Sequence, residues 1–190
     1  NGYGDEWVKE AEKRGLPNIN NSVDSYRAFV YDKSIRVFEK HHVYSSTELH
    51  ARYEIKMEKY IKINTIEAHT MLEMCRKQII PAGMRYGDAV AQTIIHLKET
   101  GLTVDTQTNE EVLSNVTSNL SKLNRSVKKL EKAVLKSETL ENDFVKQAEF
   151  MRDGVVTAMA EVRKYADMLE MAVGKEYWPM PTYSDLIYSV

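Results

Sequence analysis

Between residues 108 and 136, Leu113, Val116, Leu120, Leu123, Val127, Leu130 and Val134 recur at spacings of 3, 4, 3, 4, 3 and 4. A helix turns once in 3.6 residues, so this spacing gathers all seven on one stripe, and a strict seven-residue repeat keeps the stripe aimed at a partner helix. Each aliphatic side chain taken out of water is worth about 1.5 to 3 kcal/mol, so a solvated stripe would forfeit on the order of 10 kcal/mol or more. The helix needs a mate.

The mate comes next. Phe144, Ala148, Met151, Val155, Ala158, Val162, Tyr165, Leu169 and Ala172 form a second stripe, spaced 4, 3, 4, 3, 4, 3, 4 and 3. Only a few residues around Ser137 and Thr139 separate the two, which makes the helices antiparallel neighbours. The expected fold class is all-α, with a long helical hairpin of coiled-coil character at its centre. Leu113, Leu120, Leu123, Val127, Leu130, Met151, Val155, Val162 and Leu169 are its candidate packing and interface positions.

Around this hairpin the chain divides into three stretches. Residues 1–44 carry short helices and loops. Asp5 caps the first, with Trp7, Val8 and Ala11 on its apolar side and Gly15, Leu16 and Pro17 at its end; Ser22 caps the second; residues 32–40 form the third. Residues 45–174 carry the long helices, at about 45–80, 82–100, 108–136 and 138–173. Ser45 with Glu48, and Thr108 with Glu111, have the spacing of capping boxes. The first long helix has a wide apolar face: Leu49, Tyr53, Met57, Tyr60, Asn64, Ala68, Met71, Cys75 and Ile79, widened by Ile61, Ile66, Leu72 and Met74. Pro81 removes an amide donor, so the helix is expected to end or kink there, with Gly83 and Gly87 loosening its restart. Gly154, inside the last helix, costs roughly 1 kcal/mol relative to alanine and points to a close crossing or a bend. Residues 175–190 form an extended, proline-stiffened aromatic tail that must dock, with Trp178 and Tyr183 as its candidate anchors.

The 190 residues, 43% of them hydrophobic, are enough for one domain with a core. The net charge is -2 with both signs interleaved, which leaves no electrostatic footprint for nucleic acid or an anionic membrane. No stretch approaches the roughly 18 consecutive apolar residues of a membrane span, and Cys75, the single cysteine, fits a reducing compartment. The expected location is cytoplasmic. The chain opens at Asn1 within a loop-like Asn-Gly-Tyr-Gly and reads as a piece of a longer one.

Catalytic patterns are absent. His50 and Glu54 share a helix face, but two ligands do not make a metal site, and His41, His42, His69 and His96 read as ordinary histidines. Glu39-x-x-His42 occurs once, where a di-iron bundle needs two such motifs and two further glutamates. Gly2-Tyr3-Gly4 lacks the third glycine of a dinucleotide loop, and no Gly-Lys-Ser/Thr occurs. Cys75 lies on an apolar face and reads as a small buried hydrophobe. Arg52, Tyr53 and Glu54 read as structural pairing rather than as an acid-base cluster. No catalytic, cofactor-binding or metal residue is expected in these residues.

Several segments read as familiar words: 1–16 (NGYGDEWVKEAEKRGL), 50–55 (HARYEI), 66–82 (IEAHTMLEMCRKQIIPA) and above all 175–190 (KEYWPMPTYSDLIYSV). Together they resemble the C-terminal region of type III glutamine synthetases, and the resemblance covers essentially the whole chain. Residues 62–67 (KINTIE) depart from the Lys-Thr-Ile-Asn-Ile-Glu order associated with that family. The resemblance implies a parent enzyme that joins ammonia to glutamate with ATP and Mg2+ or Mn2+ and assembles from hexameric rings. It also implies that the ATP, glutamate and metal motifs lie before Asn1, so that this region alone is inactive. Its partners would be the rest of the subunit, on whose catalytic body residues 1–44 pack, and the neighbouring subunits. The rival reading is a free-standing helical adaptor.

Overall fold

The computed structural model describes Gly2 and residues 4–188, with Tyr183 and Ser184 described by backbone alone. Among these residues there are seven helices and no strand. They are α1 (Asp5–Lys13), α2 (Ser22–Arg27, continued by a 3-10 turn at Ala28–Val30), α3 (Asp32–Lys40), α4 (residues 46–99), α5 (Gln107–Glu138), α6 (residues 144–172) and α7 (Tyr183–Tyr188). The chain is all-α, as its periodicity predicts. It forms two compact units, residues 1–62 with 143–149, and residues 63–142 with 150–190.

The first unit is built on the opening turns of α4. Ser45 and Glu48 make the expected capping box: the Ser45 amide donates to the Glu48 carboxylate at 2.8 Å, and the Glu48 amide donates to the Ser45 hydroxyl at 3.3 Å. Leu49, Tyr53, Met57 and Ile61 then recur every fourth residue and are buried together with Val23 of α2 and Ala148 of α6. The Phe144 ring meets the edge of Tyr53 at 6.0 Å, and Arg27 pairs with Glu149. The second helix is capped by Asn21, one residue before the expected Ser22, through a hydrogen bond from the Asp24 amide.

In the second unit α5 runs antiparallel to both of its neighbours. Arg76 of α4 reaches Glu131 of α5 at 2.6 Å while Lys98 reaches Glu110 at 3.2 Å, so one helix ascends as the other descends. Toward α6, Lys129 of α5 pairs with Glu161 at 2.6 Å, and the Lys136 ammonium lies 4.9 Å from the Phe150 ring centroid. The hairpin of α5 and α6 follows from its two stripes. Its edges differ from expectation. The first turn of α5 carries no Thr108–Glu111 box; Thr106 precedes the helix and bonds Glu110, and Asp105 takes the Gln107 amide. The next helix starts at residue 144, because 139–142 turn and Asp143 caps through the Lys146 amide at 3.1 Å.

Pro81 does not end the helix that carries it: α4 continues for 54 residues. A π-turn at Cys75–Ile79 lies just before the proline, and the Ile80 amide donates five residues back, to the Cys75 carbonyl. Such a turn slips one extra residue into the helix and leaves a carbonyl without its usual donor. The missing proline N–H thus falls where the ladder is already interrupted. A second π-turn, Met151–Val156, holds Gly154. A Cβ there would come within 2.9 Å of the Phe150 ring, so this glycine makes room for an aromatic one turn earlier rather than for a crossing helix. The close crossing is at Gly83, where a Cβ would stand 2.8 Å from Leu120 Cδ2.

Residues 173–182 leave the helical ladder. Tyr177 packs on Tyr86 at 5.4 Å between centroids, and Trp178 is 8% exposed. The tail is not extended throughout. Thr182 and Asp185 form a second capping box, with the Thr182 amide donating at 3.0 Å and the Asp185 amide returning at 3.3 Å, and α7 follows. Lys175 also pairs with Asp185, and the bonded carboxylate is pushed down to about 2.

Candidate functional site

The packing residues singled out from sequence fall on α5, on α6 and in the tail. Leu123, Val127 and Leu130 of α5 are buried, as are Met151, Val155, Val162 and Leu169 of α6. Leu113 and Leu120 are half-buried and lie nearest α4: Leu120 stands against Gly83, and Leu113 against Gly87, where a Cβ would lie 3.9 Å away. Trp178 is buried in the tail, whereas the side chain of Tyr183 lies outside the described residues. Ile66, expected to widen the apolar face of α4, is 65% exposed.

Sequence reading missed the second side of α5. Asn119 and Ser126 are buried although polar. Each has a local bond: Asn119 donates to the Asn115 side-chain oxygen at 2.7 Å, and the Ser126 hydroxyl donates to the Leu123 carbonyl at 2.8 Å. The signal was present. Asn119, Ser126 and Ala133 repeat every seven residues, a stripe of small or polar side chains beside the leucine stripe, as expected of a helix covered on two sides.

One apolar groove opens beside the seam. Met71, Met74, Cys75 and Ile79 of α4, Met159, Val162 and Ala166 of α6, and Met180 of the tail line about 490 Å³. Burial pushes the Cys75 thiol up to about 11, so at neutral pH it is the protonated, poorly nucleophilic form. Arg163 and Asp167, 3.5 Å apart, stand at its rim.

The titratable groups are set for pairing. Glu73 is held below the usual carboxylate range by Lys77, Glu110 by Thr106 and Lys98, and Glu131 by Arg76. Each is stabilised as an anion, the opposite of a carboxyl tuned toward neutrality for proton transfer. The polar trio from the start of α4 disperses: Arg52 lies 4.2 Å from the Tyr44 ring centroid, Tyr53 is buried against Phe144, and Glu54 is exposed. His50 contacts the Ser46 carbonyl at 2.9 Å. Among the described residues no three His, Cys, Asp or Glu side chains converge to hold a metal, and no helix is long and apolar enough to cross a membrane.

Comparison with known proteins gives the arrangement its context. Residues 1–98 match the family model described as glutamine synthetase C-terminal domain. A glutamine synthetase of Butyrivibrio fibrisolvens is 34% identical over all of this chain and 27% of its own length. One of Bacteroides fragilis is 26% identical over 99% of this chain, and a type-3 glutamine synthetase of Dictyostelium discoideum 28% over 98%, each across 26% of its own length. The chain thus spans about a quarter of the relatives it matches, their C-terminal portion. It is all-helical, organised by packing seams, and belongs to the glutamine synthetase C-terminal domain family.

Proposed function

We propose that these 190 residues are the non-catalytic helical domain of a type III glutamine synthetase subunit, and that they serve its stability and assembly. The observation that carries the reading is the double-sided seam. Val116, Leu123, Val127, Leu130 and Val134 are buried on a helix covered from both α4 and α6, while the shifted carboxylates are bound to neighbouring cations and hydroxyls. A region built this way contributes rigidity and surface. On this reading the ligation of ammonia to glutamate, with its ATP and divalent cation, belongs to the part of the subunit outside these residues. The subunit forms a homo-oligomer of hexameric rings in the cytoplasm, and residues 1–44 pack on the catalytic body.

Removal of residues 175–190 from the intact subunit tests the reading. Burial of Trp178 and the Tyr86–Tyr177 contact would be lost. The expected result is a lower melting temperature or a smaller particle in sedimentation. An oligomer of unchanged size and melting temperature would rule it out.

A further inference from the structure

Helix α1 has an apolar side that the first unit does not cover. Trp7 is 40% exposed and Val8 49%, and beyond the helix Leu16 and Ile19 are 49% and 45% exposed. No residue of α1 is buried, whereas α2 sinks Val23 completely and α4 sinks Leu49 and Met57. A nine-residue helix is marginal in water, and propensity alone does not sustain it. Its side-chain bonds are local: Arg14 pairs with Glu10 at 2.7 Å, and its guanidinium lies 5.8 Å from the Trp7 ring centroid. Large apolar residues grouped on a short element, with tryptophan among them, have the composition of an interface anchor.

We infer that this side of α1, with Leu16 and Ile19, is the seat of the polypeptide that precedes the domain in a whole subunit, so that the catalytic body rests directly on Trp7 and Val8. The inference rests on the reading above and names the surface it requires. Two observations select the occupant. The matched relatives carry roughly three quarters of their length outside this region, which is their C-terminal portion. A body joined to the chain just before α1 is also held within a few residues of the apolar side, where short tethers give effective concentrations in the millimolar range. A second copy or a free partner has no such advantage. The occupant is therefore an apolar surface with a recess for the indole ring and an acceptor near its N–H, since a buried tryptophan normally finds one.

Hydroxyl-radical footprinting of the full-length subunit tests this, read at Trp7 in the assembled enzyme and again at a dilution that leaves single subunits. The expected result is oxidation of Trp7 about tenfold slower than free N-acetyltryptophanamide in both states, as for an anchor in a desolvated pocket. In the same subunit the Trp7→Ser/Val8→Ser variant should speed tryptic cleavage at Lys9, Lys13 and Arg14, and Trp7→Phe should restore resistance. The exposed control Met171→Ser should leave it unchanged. Oxidation of Trp7 at the free rate overturns the inference, and protection lost on dilution overturns it in favour of a second copy. A full-length chain with no glutamine synthetase body before α1 overturns the reading beneath it, whereas an exposed Trp7 with that body present overturns this inference alone.

Discussion

Gly83 sits where α4 crosses α5, and filling that position is the sharpest local test of the fold. A Cβ there would stand 2.8 Å from Leu120 Cδ2, 3.2 Å from Cγ and 3.4 Å from Cδ1, so most of the isobutyl group blocks it. Gly83→Val has two opposing effects. Valine is a better helix former than glycine by a few tenths of a kcal/mol. Overpacking a close contact costs about 1 to 3 kcal/mol, because Leu120 must leave its rotamer or the helices must separate. The second effect wins, and the variant should lose about 1 to 2 kcal/mol, with a melting temperature lower by roughly 2 to 8 °C for a chain of this size. Urea unfolding followed by circular dichroism measures the loss. Leu120→Ala removes the obstruction, so in that background Gly83→Val should cost at least about 1 kcal/mol less, the coupling expected of touching residues. A Gly83→Val variant as stable as its parent, or one whose penalty is unchanged in the Leu120→Ala background, would refute the crossing geometry.

Other expectations follow from burial and charge. Leu123→Ala, at a fully buried seam position, should lose about 2 to 5 kcal/mol in urea unfolding, while Leu135→Ala, on the exposed side of the same helix, should stay within about 0.5 kcal/mol. Equal losses would contradict the assigned face. The Asp185 carboxyl, held at about 2 by Lys175 and Thr182, is lower when folded than when unfolded. Its support for the tail is therefore present above pH about 4 and lost as pH falls toward about 2. A carboxyl-carbon NMR titration should give a midpoint near about 2, and Lys175→Gln should raise it; a parent midpoint near about 4 would remove the interaction. Cys75, raised to about 11 by burial, should resist iodoacetamide at about pH 8 until urea unfolds the chain. Prompt alkylation would show that the folded chain leaves the Cys75 thiol within reach of solvent.

The hairpin was legible because its stripes repeat every seven residues over many turns, leaving packing little choice. The box at Ser45 and Glu48 was legible for the same local reason. Pro81 was misleading because a proline reports a missing donor but not whether a π-turn has already displaced the ladder beside it. Gly154 and Gly83 look alike in sequence, yet one faces its own helix's Phe150 and the other a leucine 37 positions along the chain. Tertiary contacts alone distinguish them. The buried Asn119 and Ser126 escaped notice since polar side chains on a charged helix normally face water, and only a helix covered on two sides buries them. Of the candidate surfaces, the seam could be read from periodicity; the bare side of α1 could not, because its exposure depends on what the neighbouring helices leave uncovered.

On the function proposed above, this domain holds a glutamine synthetase subunit together and takes no part in its chemistry. Leu123→Ala and Leu130→Ala in the intact enzyme separate the two roles, with particle mass and steady-state kinetics measured on the same preparations. The expected result is loss of assembly or a lower melting temperature, with unchanged KM for glutamate and ATP in whatever enzyme remains assembled. A fully assembled, equally stable variant with altered KM or kcat would contradict it.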